Sequence, residues 1–110
     1  MNDAERDEYV DLLKGTLELG DEIAVWMLPF VAYERLRDHP ADEAFVRRCI
    51  LRLLDVGAAA VRGGDGRWDA GDFSELSREA VADAVLDELA LAEDPCWVNV
   101  WFVERDRLER

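Results

Sequence analysis

The chain has 110 residues, half of them hydrophobic, and a formal net charge of −13 from 26 acidic and 13 basic side chains. That length suits a single domain spanning 1–110 with a real core, and the composition excludes a disordered chain. The longest apolar stretch, Ile23 to Tyr33, falls far short of the ~20 residues that a membrane-spanning helix needs.

The N-terminus is acidic and polar, the reverse of a secretory signal, so the cytoplasm is the expected compartment. Two cysteines, Cys49 and Cys96, do not make a disulfide framework, and both are expected to be reduced and partly buried. The charge is unevenly spread. Residues 1–22 carry eight acids and two bases, and residues 69–94 carry nine acids and one base. Residues 23–68 carry six acids against seven bases, and the tail from 95 is balanced. Two segments therefore supply the whole surplus, which repels phosphate backbones and attracts basic partners. Solubility is the bland explanation of the same excess.

Residues 3–19 read as an amphipathic helix, with Tyr9, Leu12, Leu13, Thr16 and Leu17 as its apolar stripe and Val10 beside it. Asp3, Glu5, Asp7, Glu8 and Asp11 form the wet face, Asn2 or Asp3 can cap it, and Gly20 can end it. Ile23 to Trp26 is helical or extended, a break falls near Pro29, and Phe30 to Arg37 is expected to be helical. Asp38-His39-Pro40 is a turn.

The central helix covers 42–56. Its apolar residues Val46, Cys49, Ile50, Leu53 and Leu54 follow the 3.6-residue spacing of one face, behind Arg47, Arg48, Arg52 and Asp55. Asp42 is the expected N-cap and Gly57 the expected stop. Ala58 to Val61, ending at Gly63-Gly64-Asp65-Gly66, is long enough only for a strand near 58–62. A long turn-rich connection, GGDGRWDAGDFSELS, leads to Ser77, the expected cap of a helix from Arg78 to about Ala92. There Val81, Ala84, Val85 and Leu89 face inward, while Glu79, Asp83, Asp87 and Glu88 face out. Pro95 disfavours helix at Asp94. Cys96 to Val103 then carries the strongest β signal, with Trp97, Asn99, Trp101 and Val103 alternating against Val98, Val100 and Phe102. Either both faces of that strand (97–103) are covered, or one aromatic face awaits a partner. The polar tail 105–110 is expected to fray.

Two such strands pair most simply antiparallel. The expected fold is α+β and winged-helix-like, with three to four helices on a sheet of two or three strands. Within residues 41–104, LLDVGAAAVRGGDGRWD, LSREAV and DPCWVNVWFVERD resemble small actinobacterial winged-helix-like proteins of uncharacterised function, some of which lie beside polymorphic toxins. The resemblance implies an immunity role. One departure is that an acidic body surrounds the helix that would enter a DNA groove.

Catalytic and metal chemistry find little support. Counted as an EF-hand loop from Asp65, the third position is Arg67, the sixth Ala70 and the twelfth Leu76, so the pattern fails and Asp65, Asp69, Asp72 and Glu75 read as a solvated turn. One histidine, His39, with two unspaced cysteines makes no zinc set. No nucleophile elbow, P-loop or dinucleotide fingerprint occurs, which argues against an enzyme and implies no cofactor. Arg47, Arg48 and Arg52 could meet phosphate, or pair with Asp55, Glu43 or the acidic helices. Trp68 could anchor a partner or cover the core edge, while Trp26 and Trp97 or Trp101 read as core. The favoured expectation is a non-catalytic protein-binding domain whose acidic faces, with Asp7, Asp11, Glu79, Asp83, Asp87, Glu88 and Trp68, receive a basic protein. A neutraliser of a basic nuclease toxin is one concrete form of it. A winged-helix DNA-binding regulator using 42–56 and a homodimer on the aromatic strand are the alternatives.

Overall fold

A computed structural model describes residues 3–18, 22–28, 31, 38–64 and 67–107. Along the chain these form α1 (Asp3–Glu18), β1 (Ile23–Ala24), α2 (Pro40–Asp55), β2 (Ala58–Gly64), β3 (Arg67–Asp69), α3 (Arg78–Leu91) and β4 (Trp101–Glu104). The fold is α+β, with three α-helices and a four-stranded antiparallel sheet in the order β1-β4-β2-β3 among the described residues. No helix among them is long and apolar enough to cross a membrane. Apart from Val31, the expected helix over 30–37 lies outside the described residues, as do the caps at Asn2 and Gly20.

Helix α2 buries Phe45, Val46, Cys49, Ile50 and Leu53, each large side chain contributing at most about 1.5–3 kcal/mol through burial. It starts two residues earlier than the spacing suggests. His39, not Asp42, is the N-cap, and its carbonyl accepts the Glu43 N–H at 3.0 Å. Pro40 takes the first helical position, where a missing N–H costs nothing and the fixed φ suits the helix. Asp42 and Glu43 are left in the first turn, against the positive end of the dipole. The far end closes as expected: Gly57 has φ +104°, a region closed to most side chains, and its N–H donates to the Leu54 carbonyl at 3.4 Å.

Helix α1 packs on α2, β1 and β4 and buries Leu13 and Leu17. Leu12, expected in the same stripe, is exposed. At about 100° per residue it stands well round the helix from the Leu13/Leu17 line. Helix α3 is capped by Ser77, whose hydroxyl accepts the Ala80 N–H at 3.2 Å, and it buries Val81, Ala82, Val85 and Leu89.

The β2–β4 pairing sets Ala60 opposite Phe102 and Val61 opposite Trp101. Small alanines on β2 leave room for the ring beside them. Phe102 and Val103 point to opposite faces and both are fully buried, so both faces of this strand pair are covered there.

Among the described residues the sheet has four strands rather than the expected two or three, because Ile23–Ala24 and Arg67–Asp69 add to its edges, and three further expectations need correction. The connection after β2 is partly strand, because β3 folds back with Gly64 opposite Arg67 and only residues 65 and 66 between them. The aromatic strand is shorter than its alternation implies: Pro95–Trp97 is a 3-10 turn and β4 begins only at Trp101. Asn99 explains the difference. Its amide accepts the Gly63 N–H at 3.0 Å and donates to the Gly63 carbonyl at 2.9 Å, so a side chain does the pairing that a backbone would do in a strand. Finally, Cys96 is exposed, although Cys49 is buried as expected. Of the tail, Arg105–Arg107 form a 3-10 turn tied by the Arg105 N–H to the Gly57 carbonyl at 3.0 Å.

Candidate functional site

Carboxylates dominate the surface, so the first question is which of them the molecule itself uses. Arg62, projecting from β2, gathers three segments. Its Nη1 and Nη2 donate to the Glu88 carboxylate at 2.9 and 3.1 Å, a fork-on-fork pair that fixes α3 against the sheet. Its Nε and Nη2 reach Asp72 at 3.2 and 3.3 Å, and Nη1 reaches the Asn99 carbonyl at 3.3 Å. The guanidinium also lies 4.8 Å from the centre of the Phe73 ring. Hydrogen bonds donated to Glu88, then to Asp72, push the Arg62 pKa further above its already high value, and the Arg62 bond holds the Asp72 carboxyl below the usual range.

Two further arginines do likewise. Arg78 donates to Asp55 at 2.8 and 2.9 Å and also bonds Glu79. The Asp55 carboxyl is held low chiefly by that hydrogen bond, and the Glu79 carboxyl first by its own backbone N–H and then by Arg78. Arg47 of α2 pairs with Asp83 of α3. Arg47 is thus committed inside the molecule, while Arg48 and Arg52 stand exposed on the same helix.

Of the expected partner-binding residues, Glu79, Asp83 and Glu88 are therefore engaged by the chain's own arginines. Asp87 and Asp11 are exposed, and neither has an ion-pair partner among the described residues. Asp7 lies on α1, but its side chain is outside the described ones. Trp68 sits on β3 rather than in a loop. It is half-buried and tilted 51° to Trp101 with ring centres 5.4 Å apart. Gly63 makes this approach possible, since a Cβ there would stand 3.0 Å from Trp68 Cζ3. Trp101 Nε1 donates to Asn99 Oδ1 at 3.2 Å, so the Trp68–Trp101 pair is anchored structure more than free surface.

The indole left uncovered is a different one. Trp97, read from sequence as a core candidate, is 86% exposed, and Leu91 is 79% exposed. The reason is local: with Pro95 setting a 3-10 turn in place of a strand, Trp97 leaves the sheet that buries Phe102. Beside it Ala92, Glu93, Asp94, Trp97 and Val98 line a recess of about 390 Å3. The Val25–Met27 turn packs against this one and adds the partly exposed Trp26 and Met27. No family model, curated protein or solved structure matches the chain.

A second, larger cleft of about 580 Å3 lies between β2 and residues 70–78, floored by Ala58, Ala60 and Phe73. Two of its charged walls, Arg78 and Asp55, are bonded to each other, and the third, Arg105, is exposed. Among the described residues no group of three His, Cys, Asp or Glu side chains is arranged to hold a metal ion.

Proposed function

We propose that the chain is a non-catalytic binding domain for a basic protein. The observation that carries this is the acid surplus that outlasts internal pairing: among the described residues, three guanidiniums take up five carboxylates. Those pairs take up more acids than bases, and Arg48, Arg52, Arg67 and Arg105 stay exposed, yet the sequence holds 21 acids against 10 bases outside them. From Glu79 to Glu104 the chain holds seven acids and no lysine or arginine. Such a surface steers a cationic partner inward and holds nucleic acid off.

Neutralisation of a basic nuclease is the concrete form suggested by the resemblance over 41–104, and that resemblance is its only support. A winged-helix arrangement is proposed on the same footing, from the succession of α2 and the β2–β3 hairpin. Exposed Arg48 and Arg52 favour the rival reading, a DNA-binding regulator using α2. Calorimetric titration of the chain with the purified proteins encoded beside its gene decides the first reading: one basic protein binds, more weakly as salt rises. If none binds, the reading fails. A gel shift on duplex DNA that is lost steeply with salt would favour the rival.

A further inference from the structure

We infer that the corner made by Ala92, Glu93, Asp94, Trp97 and Val98 is the docking point of that basic partner, and that it takes an arginine side chain. The inference rests on the protein-binding reading and names its surface. Large indoles are seldom left open, because each exposes much apolar area to water. Here one is 86% exposed at the mouth of a recess of about 390 Å3 whose remaining walls are Ala92, Val98 and two acids.

A planar cation suits those walls. A guanidinium can lie on the indole face while its edge meets carboxylate, and its aliphatic stem can run along the alanine and valine. Glu93 is exposed and has no ion-pair partner among the described residues. Asp94 accepts the Cys96 N–H through Oδ1 at 2.9 Å, and its carboxylate also lies against the Cys96 thiol at the edge of the corner. A purely apolar occupant would leave both carboxylates facing it unpaired, and a second copy of this chain would bring another −13 toward the same corner.

The test uses nona-arginine and nona-lysine peptides as probes, with the indole N–H resonances of the four tryptophans as the readout. Trp97→Phe assigns the Trp97 resonance. Because Trp97 is exposed, Trp97→Ala should keep the wild-type melting temperature, which a thermal melt checks. On titration with nona-arginine, the Trp97 signal moves most. Trp97→Ala weakens binding about tenfold, and nona-lysine binds the wild type about threefold more weakly than nona-arginine. If Trp97→Ala binds nona-arginine as tightly as the wild type, the corner is not the site, although the acidic-surface reading survives. If neither peptide binds either protein, both inferences fall. A dimer seen by light scattering and abolished by Trp97→Ala would overturn the proposal and assign the corner to a second copy.

Discussion

Replacing Arg62 by alanine removes the tie among β2, α3, the 71–73 turn and the segment at Asn99 in one step. The side chains of Arg62 and Glu88 are 31% and 36% exposed, so water screens the fork and it is worth about 1 kcal/mol. Stacking over Phe73 adds about 0.5–1 kcal/mol. The Asp72 pair faces open water and adds only slightly to this. The expected loss is then about 2 kcal/mol, and a domain of this size melts roughly 8 °C lower. Arg62→Lys keeps the charge but not the fork and recovers only part of that loss. Arg78→Ala is the control, since Arg78 also holds two carboxylates but does so at the surface, and its melting shift should be much smaller. There is a pH signature as well. Arg62 lowers the folded-state pKa of Asp72, so the contribution is complete above the unfolded value and fades as pH falls through the folded one. The gap between wild type and Arg62→Ala should hold near neutrality and shrink slightly below about pH 4. Calorimetric melts across pH measure all of this. Equal shifts for Arg62→Ala and Arg78→Ala, or a gap that widens in acid, would refute the reasoning.

Asn99→Ala removes both bonds to Gly63 and the acceptor for Trp101 Nε1, at about 1 kcal/mol in an exposed setting. The Trp68–Trp101 contribution to the circular dichroism should drop with it, and an unchanged spectrum would count against the amide's pairing role. Gly57→Ala places a Cβ at φ +104° and should cost roughly 1–3 kcal/mol in chemical denaturation, even though the space around it is open. Iodoacetamide should label Cys96 and spare Cys49 in the native protein, with both labelled after denaturation. The Cys96 thiol is pushed up by its surroundings and then by Asp94, so Asp94→Asn should speed its labelling at neutral pH. An unchanged or slower rate would contradict that assignment.

Helices α2 and α3 were legible because each carries its own punctuation: Pro40 and Gly57 bracket one, Ser77 and Pro95 the other. The antiparallel pairing of the two apolar runs was legible too, since a short run of small residues stopped by glycines and a distant aromatic run pair most simply that way. The β2–β3 hairpin was not recognised, although Asp65-Gly66 between the paired ends is the dipeptide such turns favour. The aromatic run misled for a different reason. Alternation in CWVNVWFV is the same whether backbone or an asparagine amide makes the bonds, so the start of β4 and the exposure of Trp97 were invisible. Carboxylates on α3 were rightly placed outward by their spacing. Their capture by Arg47 and Arg62, 36 and 26 residues distant, depends on tertiary approach and left no local trace.

The central claim is that this acidic surface receives a basic protein and turns nucleic acid away. Binding of the chain to the basic product of a neighbouring gene and to duplex DNA, titrated in parallel across a salt series, tests it most directly. The account predicts saturable binding to the protein that weakens with salt, together with no DNA complex even at the lowest salt. A DNA complex dissolving steeply as salt rises, with no protein complex beside it, would contradict the account.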